Sequence, residues 1–161
     1  MAETQTEDRA PIRRIAPDTI RLERVLDAPV ETVWLYLTQA ELRKQWFMGG
    51  SDARPDGEFD LLVDHDRLSE DKGVPYPESY AAFKGATWTE KVLRFEPPRF
   101  LETTFQSGKN GVVTYELSPE GEKTRLVLTH SRFATVESRD SHAQGWDKIL
   151  ESLAKFVEGL S

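Results

Sequence analysis

SRDSHAQGWDKILESLAKFVEG, residues 138–159, decides the architecture of this chain. Its apolar residues fall at Trp146, Ile149, Leu150, Leu153, Phe156 and Val157, with Leu160 just beyond. Spacing by threes and fours draws one stripe along an α-helix, because residues so placed share a face. His142 stands four residues before Trp146 and extends the stripe. A long helix with a single apolar face must cover another apolar layer.

Working upstream, that layer reads as strands. Residues 125–130 alternate, placing Leu126, Leu128 and His130 on one face. Pro119-Glu120-Gly121-Glu122 is a turn, and residues 112–118 before it put Val113, Tyr115 and Leu117 together. Ser107 to Gly111 is a second turn cluster, with Asn110-Gly111 its strongest part. Residues 86–96 and 99–106 are two more strands, parted by Pro97-Pro98, which cannot donate to a ladder. Four successive strands joined by tight turns make an antiparallel meander. Apolar residues at both parities of the 86–96 strand (Val92, then Leu93 and Phe95) leave the direction of Trp88 open.

Further upstream, Phe59, Leu61 and Val63 alternate with Asp60 and Asp64 as another strand. Ile20 and Leu22 alternate with charges over residues 19–26. Asp27-Ala28-Pro29 then opens a short amphipathic helix over 29–39, carrying Val30, Val33, Trp34 and Leu37. A second short helix from Ala40 to about Trp46 ends before Gly49-Gly50. Residues 1–17 show no sustained period and read as a flexible tail. Residues 18–161 then form a single domain. Residues 67–79, rich in charge, Gly and Pro, read as a long loop.

Bulk properties narrow the functional classes. The chain has 161 residues, of which 38% are hydrophobic and 10% aromatic, enough for a real core. Its net charge of -7 disfavours nucleic acid and anionic membranes as partners. The absence of cysteine excludes disulfides, thiolate catalysis and thiolate metal sites. No apolar run approaches membrane-spanning length, and residues 1–10 lack the basic start and apolar stretch of a secretory signal. The expected location is the cytoplasm. No nucleotide-binding glycine loop, serine elbow or H-E-x-x-H motif occurs, and no cofactor or metal ion is expected.

The pattern therefore predicts an α+β fold: a curved antiparallel sheet wrapped around a long C-terminal helix, with two short helices after the first strand. Such a sheet leaves concave, mainly apolar room at one end of the helix, the form of a small-molecule site. The chain resembles the SRPBCC (START and pollen-allergen-like) superfamily, and within it the activator of heat-shock protein 90 ATPase homologue-like domain. The resemblance is carried by Arg24 through Ala28-Pro29, Val33-Trp34, Leu37-Thr38, Trp46 and Gly57-Glu58-Phe59. It continues through Phe95-Glu96-Pro97-Pro98-Arg99-Phe100-Leu101, Thr124 to His130, and Gly145-Trp146 with Leu150 and Leu153. It implies a helix-grip fold with a cavity between sheet and helix. It implies no single activity, since members include lipid carriers, cyclases, hydroxylase domains and co-chaperones. The chain departs from the usual pattern over residues 67–86, where the loop with Tyr76, Tyr80 and Phe83 is longer than typical.

The candidate ligand-binding residues follow from the inward faces. Trp46 and Phe47, with Met48, close the helical pair near the expected cavity mouth. Phe59, Leu61, Phe105, Tyr115 and Leu128 come from the strands, together with Trp88. His142, Trp146 and Leu150 come from the helix, and His130 ends an inward strand face. For any single one of these, plain core packing is the commoner role. Tyr115 stands out because a buried phenol must place its hydroxyl on a partner. His130 and His142 are positioned to approach each other and Trp146, as a satisfied polar pair rather than a metal site, since no third ligand has suitable spacing. His65, between Asp64 and Asp66, has neighbours that alternate faces and cannot converge with it. Glu90, Asp64 and Glu116 are available as bases, although strand carboxylates usually face solvent.

Three functions are consistent with this. The first is non-enzymatic binding of a hydrophobic or amphipathic small molecule. The second is a chaperone-interacting module, with a role in stress response. The third is a cyclase or hydrolase acting on a polyketide-like substrate, which needs an enclosed acid–base group among His130, His142 and Glu90. The expected oligomeric state is a monomer or weak dimer.

Overall fold

The computed structural model describes residues 12–47, 49–55, 57–62 and 87–158. Strand β1 (Ile12–Ala16) is followed by β2 (Thr19–Leu26), helix α1 (Val30–Thr38) and the one-turn helix α2 (Ala40–Arg43). Then come β3 (Gly49–Gly50), β4 (Glu58–Leu62), β5 (Thr87–Glu96), β6 (Phe100–Thr104), β7 (Val112–Glu120) and β8 (Lys123–Ser131). Helix α3 (Val136–Val157) closes the order. The strands form one antiparallel sheet in the order β1-β2-β8-β7-β6-β5-β4-β3. The predicted meander is its β5–β8 portion, and the fold is the helix-grip α+β arrangement. No helix among the described residues is long and apolar enough to cross a membrane.

The expected tail corrects in part. Ile12–Ala16 lies in the sheet, with Ile12 opposite Leu22 and Arg14 opposite Ile20. An edge strand buries little, and its middle three residues are exposed, so no apolar alternation announced it.

Strand register builds the concave face. Ile20, Leu22 and Leu26 of β2, Val113, Tyr115 and Leu117 of β7, and Leu126, Leu128 and His130 of β8 are all buried. Cross-strand pairing aligns Val113 with His130, Tyr115 with Leu128, and Leu101 with Tyr115. The double parity of β5 has a mechanical cause. Its pairing with β6 shifts by one residue between Val92 and Arg94. Such a bulge switches the inward parity. Glu90 and Val92 face inward before it and half-buried Phe95 after it, while Leu93 is exposed.

The covering helix begins two residues earlier than the apolar stripe suggests, because Thr135 caps it by accepting a hydrogen bond from the Ser138 amide at 3.0 Å. His142, Ala143, Trp146, Ile149, Leu150, Leu153 and Val157 are its buried apolar face and His142 extension. A 2.5 Å ion pair from Arg24 on β2 to Asp147 ties the helix to the sheet. Gly111 lets the β6–β7 turn close against β8: its φ is +91°, and a Cβ there would stand 1.9 Å from the Ser131 carbonyl oxygen.

Candidate functional site

The interior between sheet and α3 is a cluster of stacked and edge-on rings. Trp46 and Phe47, just after α2, stack with centroids 5.4 Å apart, and Phe47 lies 5.2 Å from Trp146. Phe105 lies 5.7 Å from Trp146, and Tyr115 meets the same indole edge-on at 6.3 Å. His130 and His142 approach to 5.7 Å, and Phe105 contacts both. Trp46 is fully buried and donates its indole N–H to the Tyr36 carbonyl at 2.8 Å, so it forms a wall of the interior rather than its mouth.

Elsewhere the candidates separate. Leu61 pairs with half-buried Trp88 across β4 and β5, which settles Trp88 on the inward parity. Phe59 pairs with Glu90. Leu128 and Leu150 are fully buried aliphatic core. Met48, Tyr76, Tyr80, Phe83, Leu160 and the Asp64-His65-Asp66 triplet lie outside the described residues.

His130 is held at both ring nitrogens and His142 at Nδ1. The Trp146 indole donates to His130 Nδ1 at 2.9 Å, and His130 Nε2 donates to the Asn110 carbonyl at 2.6 Å. Both ring nitrogens are therefore committed in one neutral tautomer. Burial, reinforced by His142, pushes the His130 pKa down to about 3, against the raising effect of its bond to Asn110. His142 Nδ1 donates to the Ser138 carbonyl at 2.8 Å, and burial lowers its pKa too. Phe133, which stacks on His130 at 4.0 Å, gave no warning: it follows the strand and belongs to no periodic stripe.

Glu90 reverses its expectation. It is 0% exposed. Its Oε1 accepts from the Thr104 hydroxyl at 2.7 Å and the Ser107 amide at 3.0 Å, and the Gln106 amide also reaches it. Gln106 and Ser107 hold positive φ values of 52° and 58°, turning consecutive amides toward the carboxyl. Two non-glycine residues in the left-handed region store strain at this turn. Burial raises the Glu90 pKa, and the three donors oppose that rise. Periodicity alone could not reveal this residue, because the parity of β5 depends on the bulge.

Arg43 is the other buried charge that sequence reasoning passed over, at 3% exposure. Its guanidinium lies 5.1 Å over the Phe59 ring and donates to the carbonyls of Gly49 at 3.1 Å and Ser51 at 2.6 Å. Longer bonds reach Thr38 and Asp60. Burial lowers its pKa to about 10. Tyr115 feels the charges of both Arg43 and Glu90, and burial pushes its phenol well above the usual range.

Residues 27–158 match the family described as activator of Hsp90 ATPase homolog 1-like protein. The chain belongs to this family. The family assignment covers α1, α2, the strands β3 to β8 and all of α3, so every residue of the ring cluster falls inside it. A solution structure from Bordetella parapertussis is similar at 36% identity and a TM-score of 0.72, over 92% of this chain and 79% of that one. CalU16 from Micromonospora echinospora is similar at 27% identity and a TM-score of 0.65, over 88% and 74%. A protein of Mesorhizobium loti shares the fold at 24% identity and a TM-score of 0.67, over 89% and 98%. No curated protein matches this chain.

Proposed function

We propose that this family member binds a hydrophobic or amphipathic small molecule between the sheet and α3, without transforming it. The observation that carries the reading is the ring cluster between sheet and helix, where Trp146 meets Phe47, Phe105 and Tyr115 and Phe47 stacks on Trp46. A mainly aromatic, concave lining with few polar groups is the form of a small-molecule site. Titration with a panel of fatty acids, flavonoids and isoprenoids under two-dimensional NMR tests the reading. Shifts centred on Trp46, Tyr115 and Trp146 are expected from at least one class. Unmoved signals at all three residues across the panel would end it.

Glu90 supports a second reading, acid–base catalysis of the cyclase or hydrolase kind. It is an enclosed carboxyl with a raised pKa inside the same interior. Turnover of a polyketide-like substrate that disappears in Glu90→Gln would favour it over simple binding.

A further inference from the structure

We infer that a cavity at the turn end of the sheet is a separate binding site, which takes a small zwitterion with an apolar body, such as a free aliphatic amino acid. The cavity lies where the start of α1 meets the β5–β6 and β7–β8 turns. Lys123 opens β8 there, whereas His130 stands near the other end of that strand. No residue of the ring cluster lines it, so the inference stands apart from the binding reading above.

Its floor is apolar and held in place. Pro29, Pro98 and Pro119 come from three separate segments, each with a ring that fixes its own backbone torsion. Buried Val30 lines the cavity with them. Two hydrogen bonds fix the walls to one another. The Thr124 hydroxyl donates to the Ala28 carbonyl at 2.7 Å, tying the start of β8 to the entry of α1. The Leu117 amide donates to the Arg99 carbonyl at 2.8 Å, tying β7 to the β5–β6 turn. The volume is about 290 Å³. Small-ligand sites run from roughly 300 to 1,000 Å³, so the occupant is of amino-acid rather than lipid size.

Four charged side chains complete the lining: Arg99 and Lys123, Glu31 and Glu122. All four are exposed, and none enters an ion pair among the described residues. Two charges of each sign select by exclusion. A monoanion gains Arg99 and Lys123 but also faces Glu31 and Glu122. A monocation meets the reverse. Like charges brought together at a binding surface oppose association. A ligand that carries both a carboxylate and an ammonium satisfies both pairs, with Arg99 supplying the planar fork that suits a carboxylate. The proline rings and Val30 take its apolar body.

Three probes with one side chain separate the possibilities: L-leucine, 4-methylpentanoate, which lacks the ammonium, and 3-methylbutylamine, which lacks the carboxylate. Each is titrated into the full chain at neutral pH and followed at the Val30, Gly121 and Lys123 amides by two-dimensional NMR. Leucine should bind at least about tenfold more tightly than either analogue. Arg99 is exposed, so Arg99→Gln should fold normally and weaken leucine about tenfold. Glu31→Gln combined with Glu122→Gln should erase the advantage of leucine over 4-methylpentanoate, because the carboxylate then meets cations alone. Absence of saturable leucine shifts at the three amides, or an analogue that binds as tightly as leucine, would overturn the inference. Unchanged leucine affinity in Arg99→Gln, or an undiminished advantage of leucine in the double variant, would do the same. The interior site is read at Trp46, Tyr115 and Trp146, so its success or failure is scored separately.

Discussion

His130→Gln should flatten the acid side of the stability curve, because His130 is buried neutral with both nitrogens engaged. Its folded pKa is about 3, pushed down chiefly by burial, against 6.5 for the free side chain. Below the unfolded value, the unfolded chain binds a proton that the folded chain refuses. Stability therefore rises with pH through this window, and its His130 share is complete above the unfolded pKa. As pH falls, each unit costs up to about 1.4 kcal/mol, until the loss levels off near the folded value. Between neutral pH and about pH 4.5 the loss from this one ring is about 2.7 kcal/mol, a large part of a typical domain's stability. His142 acts with the same sign. Glu90 acts oppositely: its raised pKa makes its contribution fully present below the unfolded value and lost as pH rises. The glutamine variant keeps an acceptor for Trp146 and a donor for Asn110 but does not titrate. It should be less stable at neutral pH by about 1–3 kcal/mol, from poorer geometry. Its loss on acidification should be smaller than the wild type's by roughly 2–3 kcal/mol. Urea unfolding followed by tryptophan fluorescence at several pH values measures both. Parallel wild-type and variant curves between about pH 6.5 and 4.5 would refute the reasoning.

Gly111→Ala should destabilise by more than about 2 kcal/mol, because its Cβ would meet the Ser131 carbonyl at 1.9 Å; Gly108→Ala, with open space around it, should cost about 1 kcal/mol from its positive φ alone, and urea midpoints compare them. Arg43→Lys should lower stability by about 3 kcal/mol, since an ammonium cannot span the Gly49 and Ser51 carbonyls together; thermal unfolding reads this directly. Asp147→Asn should cost about 1 kcal/mol, less at high salt, because the pair to Arg24 is partly exposed. Thr135→Ala should cost about 1 kcal/mol and fray the first turn of α3, visible as faster amide exchange at Ser138.

The reach of sequence reading here follows physical lines. The α3 stripe was legible because a helix on a sheet buries one face along its whole length, and the β7 and β8 parities because those central strands bury one face only. His130 and His142 could be brought together from those two patterns. The limits have equally plain causes. A bulge between Val92 and Arg94 erased the parity of β5, and with it the inward placement of Glu90. Strand β1 hid because an edge strand with three exposed middle residues lacks alternation. Arg43 hid because a charged residue at the end of a one-turn helix ordinarily faces water, and here four backbone carbonyls draw it inward.

The indole N–H signals of the four tryptophans give the most direct test of small-molecule binding between sheet and helix. Trp146 donates to His130 and Trp46 to the Tyr36 carbonyl, both within the ring cluster, whereas Trp34 packs against Phe95. Titration with 2-naphthol should move the Trp146 and Trp46 indole resonances saturably and leave Trp34 in place. Movement of Trp34 alone, or of no indole at all, would contradict the account.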